Sequence, residues 1–145
     1  MSRSGYTDDL DDGALGLWRG AVKKAIEGRR GQEFLRELAQ ALDAMPEKVL
    51  IADDLEVDGQ FCALGALGRA RGLDMAKLDT WNCGQMAKAF GIAKALAAEV
   101  MYENDEGIDV YARIDCKIEG LDVAAERWRH MRAWALENLK TQEGA

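Results

Sequence analysis

The sequence is poor in the residue types and segments that most often indicate a protein's function. Its 145 residues include one proline and one histidine. A single proline and the absence of low-complexity tracts argue against long disordered stretches. No apolar run approaches the about 18 to 20 residues of a membrane-spanning helix. The polar, acidic N-terminus lacks the apolar centre of a signal peptide, so we expect a cytoplasmic protein with no membrane partner.

Cysteine is also scarce, which bears on disulfides and metals. The three cysteines are odd in number and far apart: Cys62, Cys83 and Cys116. In a reducing compartment they are expected to be free, buried side chains. No two have the short spacing of a structural zinc site, and His130 is the single histidine that could join them. The acidic runs DDLDDG and ENDEG do not match a calcium loop, so we expect no metal and no cofactor.

Acidic residues outnumber basic ones. The chain has 26 Asp and Glu against 19 Lys and Arg, which gives a formal net charge of −7. This balance disfavours binding to nucleic acid through a general basic field. The two signs are interleaved, which also argues against a surface that imitates DNA. With 48% hydrophobic and 31% charged residues, the composition is that of an ordinary globular domain.

Apolar spacing predicts helices over most of the chain. A first helix begins near residue 13 and ends at Gly28, and its apolar stripe comprises Leu15, Trp18, Val22 and Ile26. After the link GRRG, a second helix runs from about residue 32 to residue 44 and is stopped by Pro46. The segment ENDEG is predicted to turn the chain. Further helices are predicted at about residues 62–71, 83–90, 92–102 and 123–140.

Two segments favour β-structure. Leu55 and Val57 alternate with polar residues before Asp58 and Gly59, a favoured two-residue turn, so a short hairpin is predicted. KVLIA, just before it, is rich in β-forming residues. Residues 109–119 alternate strictly between apolar and polar, which indicates a half-buried strand that could join the hairpin. We expect an α+β fold, mainly α with a small β element, in three parts: a flexible acidic arm at residues 1–12, a single globular domain at 13–140 and a frayed tail at 141–145.

The segment DGQFCALGALGRARG admits three interpretations. The spacing of its glycines does not match a phosphate-binding loop. Cys62 stands at the start of a predicted helix, where thiol pKa values fall, but as a nucleophile it would need His130 as its base. We favour the third interpretation, in which small residues let neighbouring elements approach closely. Arg69 and Arg71 then project from the helix end toward solvent or a partner.

Candidate contact residues lie in the last helix and among the aromatic side chains. The stretch ERWRHMR places a basic cluster on one helix of an acidic protein. The cluster could bind nucleic acid or an acidic partner surface, although pairing with neighbouring acids would give the same pattern. Exposed aromatic side chains beside arginines are typical interface anchors. The candidate protein-binding residues are Trp81, Tyr111, Arg127, Arg129, Arg132 and Trp134.

Several stretches carry a resemblance that runs over most of the chain, about residues 2–139. They are SRSGYTDD, LWRGAV, RRGQEFLRELAQALDAMP, CALGALGRARG, FGIAKALAAE, MYENDE and ERWRHMRAWA. Together they resemble a family of small proteins carried by tailed phages and bacterial prophages, for which we know of no assigned activity. The resemblance implies the cytoplasm of a bacterial host and supplies no catalytic residues. Residues 108–121 are longer than the family pattern leads us to expect.

We therefore expect a non-enzymatic phage or prophage accessory protein that binds a host or phage protein. Inhibition of a host defence or regulatory complex, in the manner of an anti-CRISPR protein, is one form of that activity. Two alternatives stay open: a nucleic-acid-binding regulator that uses the helix face of Arg127 to Arg132, and a small cysteine-dependent hydrolase or transferase built around Cys62. An exposed edge strand would also allow a homodimer.

Overall fold

A computed structural model describes residues 3–6, 12–108 and 122–140. Within these ranges the chain forms six α-helices and a two-stranded antiparallel sheet, which confirms the predicted mainly helical fold with a small β element. None of these helices combines the length and the apolarity needed to cross a bilayer. The elements are α1 Asp12–Glu27, α2 Arg29–Ala44, β1 Glu56–Val57, β2 Gln60–Phe61, α3 Ala63–Ala70, a 3₁₀ turn Met75–Lys77, α4 Cys83–Phe90, α5 Lys94–Glu106 and α6 Val123–Glu137.

The hydrophobic core lies among α2, α3 and α5. Helix α2 packs against α3 and α6, and α5 contacts α1, α3, α4 and α6. Apolar residues three and four apart put one face of α2 into this core, as the sequence predicts, and its largest side chains are fully buried: Phe34, Leu35, Leu38 and Leu42. From α5, Leu96, Val100 and Met101 belong to the same core and are fully buried.

The first two helices differ from the prediction in two details. Leu15 is 45% exposed, so the buried stripe of α1 is narrower than expected and rests on Val22 and Ile26. Arg29, which was expected to follow the first helix, begins α2, and Gly28 alone separates the two helices. This tight corner depends on Gly31, because a Cβ there would lie 2.0 Å from the carbonyl oxygen of Ala25.

The hairpin forms as predicted. Asp58 and Gly59 both have positive φ, 51° and 80°, which is the type I′ turn that matches the twist of two short strands. Glu56 then pairs with Phe61 across the ladder. The KVLIA segment is not a strand in this structure, although the Ile51 amide donates to the Phe61 carbonyl at 2.9 Å, because a single bond does not make a ladder.

Close packing explains the glycine at the start of α3. A Cβ on Gly65 would lie 1.9 Å from the Leu55 carbonyl oxygen, so the helix can only approach the hairpin with no side chain there. The amide of Gly65 donates to the Cys62 sulfur at 3.4 Å, which caps the helix. Gly72, in the left-handed region with φ 73°, follows its end as predicted.

The largest correction concerns the ENDEG segment. It was expected to turn the chain, but α5 continues through Glu106. The acidic and amide side chains of its last turns have distant partners. Asn104 is 1% exposed, accepts from the Ala63 amide at 3.0 Å and donates to the Ile51 carbonyl at 2.9 Å. These contacts outweigh the weak helix propensity of Asn and Asp.

The start of the chain also differs from expectation. Residues 3–6, which belong to the predicted flexible arm, are packed against the domain, and Arg3 and Ser4 are 2% and 4% exposed. The physical reason is an ion pair in which Arg3 meets Asp105 at 2.6 Å. The predicted strand at residues 109–119 and the predicted tail at 141–145 lie outside the described residues.

Substituting Gly65 should separate close packing from helix propensity. Gly65→Ala is expected to lower the free energy of unfolding by about 3 kcal/mol, because the new methyl group overlaps the Leu55 carbonyl. The matched control is Gly20→Ala in α1, where a Cβ meets nothing within 4 Å, and it should stabilise by roughly 0.5–1 kcal/mol. Urea unfolding of both variants measures the difference, and equal effects at the two positions would contradict this account.

Candidate functional site

A cleft opens between the end of α2, the loop after it, the hairpin and α3. Its volume is about 670 Å³, within the range of ordinary ligand sites. Small side chains make room for it, since Ala41 of α2 and Ala66 of α3 both line it. Pro46 ends α2 and carries the chain away from α3. The cleft therefore forms because α2 ends at this point and because the residues of α2 and α3 that line it are small.

The floor of the cleft is apolar. Phe61, which is 7% exposed, forms it together with Ala41 and Ala66. Met45 and Val49 extend the apolar surface along one side. Such a floor gains free energy when an apolar group covers it, at about 25 cal/mol for each Å² removed from water.

Arg69 supplies the cationic wall. Its guanidinium lies 5.2 Å from the centre of the Phe61 ring, in the geometry of a cation–π contact. Among the described residues it has neither a hydrogen bond nor an ion pair. Arg71, predicted to project in the same way, is instead held by Glu37 at 2.8 Å and by the Phe90 carbonyl at 3.0 Å. The two arginines of this segment thus differ, since within the described ranges the guanidinium of Arg71 is hydrogen-bonded and that of Arg69 is not.

The rim of the cleft offers further polar groups. The rim also includes the half-buried Val49, whose backbone N–H and C=O have no hydrogen-bond partner in residues 3–6, 12–108 and 122–140. Glu47 and Asp58 place carboxylates at the edge. A main-chain donor and acceptor beside an apolar floor are the features by which proteins bind an extended peptide.

The basic cluster of the last helix is engaged inside the protein. Arg127 donates to the carbonyls of Asn104 at 2.9 Å and Leu50 at 3.1 Å, and burial lowers its pKa from the ordinary value. Arg129 pairs with Glu126 of the same helix. These contacts hold two of the predicted contact residues to the protein itself, and the positive potential of the helix face is reduced accordingly.

Arg132, the third arginine of that cluster, pairs with Asp43 of α2 at 2.6 Å. Both side chains are about half exposed, so the pair is accessible to salt and solvent. The hydrogen bond from Arg132 lowers the pKa of Asp43 below its ordinary value. The pairing anticipated between this cluster and neighbouring acids is thus observed for Arg129 and Arg132, whereas Arg127 is held by backbone carbonyls.

The three predicted aromatic anchors have different placements. Trp81 is 53% exposed, and its amide donates to Asp79 at 2.9 Å in the loop before α4. Trp134 is 8% exposed and belongs to the core, so it presents no anchor on this surface. Its position one turn from Met131 puts it on the buried face of α6. Tyr111 lies outside the described residues.

The two side chains of the cysteine-enzyme alternative have separate partners. Cys62 has 0% exposure, and its sulfur caps α3. His130 contacts Glu103 through Nε2 and Oε2 at 2.8 Å. Cys83 is half-buried and donates to the Arg3 carbonyl at 3.3 Å, and burial raises the pKa of its thiol. In residues 3–6, 12–108 and 122–140, no three His, Cys, Asp or Glu side chains gather as a metal site.

Sequence reasoning missed the cleft as a site. Its signal was the run of small residues and leucines in CALGALGR that ends at Arg69, which drew attention to Arg69 but not to the space beside it. That space depends on Ala41, which is distant in sequence. Trp81 is the one predicted anchor that the described structure leaves substantially exposed.

The Arg132–Asp43 pair predicts a pH dependence. A lowered folded pKa for Asp43 means that the pair adds stability above the unfolded value of about 4, and that this contribution disappears as pH falls through the lower folded value. Arg132→Ala should return the pKa of Asp43 toward its ordinary value, as measured by NMR titration of the carboxyl carbon. Arg129→Ala is the control and should leave Asp43 unchanged. An unaltered Asp43 titration in Arg132→Ala would rule out the pairing.

Thiol labelling tests the cysteine-enzyme alternative. In the folded protein at neutral pH, iodoacetamide should modify Cys62 at least about tenfold more slowly than Cys83, because a fully buried thiol reacts only on local opening. In urea the two rates should converge. Peptide mass spectrometry measures both sites in one sample. Faster labelling of Cys62 than of Cys83 in the folded state would instead indicate an activated nucleophile.

The comparisons with known proteins add no relative to this geometry. No protein-family model matches the chain, and no curated protein or solved structure is significantly similar to it.

Proposed function

We propose that the protein is a non-enzymatic binding protein that holds an extended segment of a partner protein in the cleft between α2, the hairpin and α3. The observation that carries this proposal is Arg69, a cation stacked on Phe61 at the wall of an apolar cleft, without a carboxylate partner in the described chain. A guanidinium in that position is suited to a carboxylate that arrives with the ligand.

The cleft chemistry specifies the bound segment. An apolar side chain would cover Phe61, and an acidic side chain beside it would pair with Arg69. As in strand addition, the main chain of the segment would bond to the backbone N–H and C=O of Val49, which lines the cleft. Glu47 and Asp58 at the rim favour a basic residue nearby and disfavour a uniformly acidic segment.

The setting of this activity follows from the resemblance to small phage and prophage proteins. We take the partner to be a host or phage protein in the bacterial cytoplasm. A binding protein that catalyses no reaction acts by covering a surface that its partner uses for another interaction. Inhibition of a host defence or regulatory complex is the form of action that suits this proposal. Trp81, more than half exposed, offers a second contact to such a partner or to another copy of the chain.

Two cleft variants test the proposal. Arg69→Glu reverses the wall charge, and Ala70→Trp, at an exposed position lining the cleft, blocks the mouth. Each should weaken capture of the partner from host lysate by about tenfold or more, which corresponds to about 1.4 kcal/mol. Quantitative mass spectrometry of proteins retained on the immobilised variants gives the ratio.

Matched controls distinguish the cleft from the rest of the surface. Lys23→Glu makes the same charge reversal on α1, where the side chain is 78% exposed. Ala133→Trp adds the same ring to the exposed face of α6. Both should capture the partner like the unmodified protein. A partner retained equally by the cleft variants would move the binding surface elsewhere, and the proposal would fail.

A further inference from the structure

Residues 3–6 lie in a groove formed by α1, the loop before α4, the start of α4 and α5. We propose that this groove is a peptide-binding site for an Arg-x-x-Tyr segment, and that the chain's own residues 3–6 are its ligand in cis. None of the groove residues lines the cleft described above, so this site is independent of the proposed function. Its two side-chain pockets accept Arg3 and Tyr6.

The arginine pocket recognises a guanidinium by shape and charge. Arg3 binds Asp105 through two bonds, Nε to Oδ2 at 2.6 Å and Nη2 to Oδ1 at 2.9 Å. Its remaining terminal nitrogen donates to Thr80 Oγ1 at 2.7 Å. Burial by itself would lower the pKa of Arg3, but the neighbouring Cys62 and Asp105 hold it above the ordinary value. The planar guanidinium donates two parallel hydrogen bonds to the carboxylate and a third to the hydroxyl. The ammonium group of a lysine cannot reproduce this geometry.

The tyrosine pocket combines rings with a buried carboxylate. The Tyr6 hydroxyl donates to Glu99 Oε1 at 2.8 Å. Its ring meets Trp18 edge-on, with centroids 5.6 Å apart, and Tyr102 at 4.9 Å. Burial raises the pKa of Tyr6 above its ordinary value, so the phenol stays a donor throughout the physiological range. Glu99 is itself fixed by Arg19 through bonds of 2.9 and 2.8 Å.

The backbone of the segment fits between the two pockets. The thiol of Cys83 donates to the carbonyl of Arg3 at 3.3 Å and reaches that of Ser4 at 3.5 Å. Gly5 has φ 78°, a left-handed conformation that turns the chain between the two anchoring side chains. The spacing Arg-x-x-Tyr with glycine before the tyrosine is therefore part of what the groove recognises.

The carboxylates of both pockets also have hydrogen-bond partners outside the segment. Asp105 also accepts from the Asn104 amide group at 2.8 Å and from the Asp53 backbone N–H at 3.0 Å. Glu99 retains its two bonds from Arg19. The buried carboxylates thus stay hydrogen-bonded when the segment leaves, and the groove is organised in advance for a ligand of this kind. A site so built binds its segment through local contacts, whether or not the two are joined by the chain.

The test opens the groove in the full-length protein and supplies the segment as a separate peptide. The double variant Arg3→Ala/Tyr6→Ala removes both anchors. A fluorescein-labelled peptide of sequence SRSGYT should bind it saturably in fluorescence anisotropy. The unmodified protein, whose groove is filled, should bind the peptide at least about tenfold more weakly. Peptides with alanine in place of the arginine or the tyrosine are the controls, and each should lose about tenfold or more in affinity.

Two results would overturn the proposal, provided that the double variant has the same circular dichroism spectrum as the unmodified protein. In one the double variant binds no SRSGYT peptide, and in the other it binds the alanine peptides as well as SRSGYT. If the double variant does not fold, a second measurement on the unmodified protein tests the same proposal. Hydrogen exchange of the unmodified protein is followed by mass spectrometry with and without excess SRSGYT peptide. Competition should speed exchange at residues 3–6, and the alanine peptides should not. Identical exchange under all conditions would also overturn the proposal.

Discussion

The side chain and backbone of Asn104 join parts of the protein that share no secondary structure. Its side chain is bonded to the start of α3 and to the segment before the hairpin, and its carbonyl accepts from Arg127 of α6. With 1% exposure, these groups have no water to replace a lost partner, and each lost bond would cost the desolvation of a polar group, about 1–3 kcal/mol. The position of α3, and therefore one wall of the cleft, depends on this amide.

Local elements could be predicted wherever neighbouring residues decide them. Short-range geometry sets the type I′ turn at Asp58 and Gly59 and the bounds of α4. It also sets the start of α6, where the Asp122 carboxylate accepts a hydrogen bond from the Ala125 amide at 3.1 Å. The continuation of α5 was missed because its cause is remote. In the sequence, Asp105 resembles a residue of a turn. Its helical placement is explained by its partner Arg3, which lies 102 positions earlier. No periodicity in the sequence carries that information.

The same limit applies to the candidate sites. Arg69 and Arg71 look equivalent in the sequence. In the described part of the chain they differ because Glu37 and the Phe90 carbonyl lie next to Arg71 and no hydrogen-bond partner lies next to the Arg69 guanidinium. Likewise, the three arginines of the last helix form a basic patch in sequence and three separate contacts in space. Small residues at Ala41 and Ala66 indicate close packing, but whether they bring helices together or leave a cleft depends on where α2 stops.

The distance in sequence between Arg3 and Asp105 also has a consequence for biosynthesis. During synthesis Arg3 precedes Asp105 by 102 positions, so residues 3–6 cannot dock on Asp105 until the intervening residues have been made. Contacts of such high sequence separation form late, after the loop between them has been ordered. Interactions absent from the folding transition state mainly slow unfolding. The docking of residues 3–6 is therefore expected to slow unfolding more than it speeds folding.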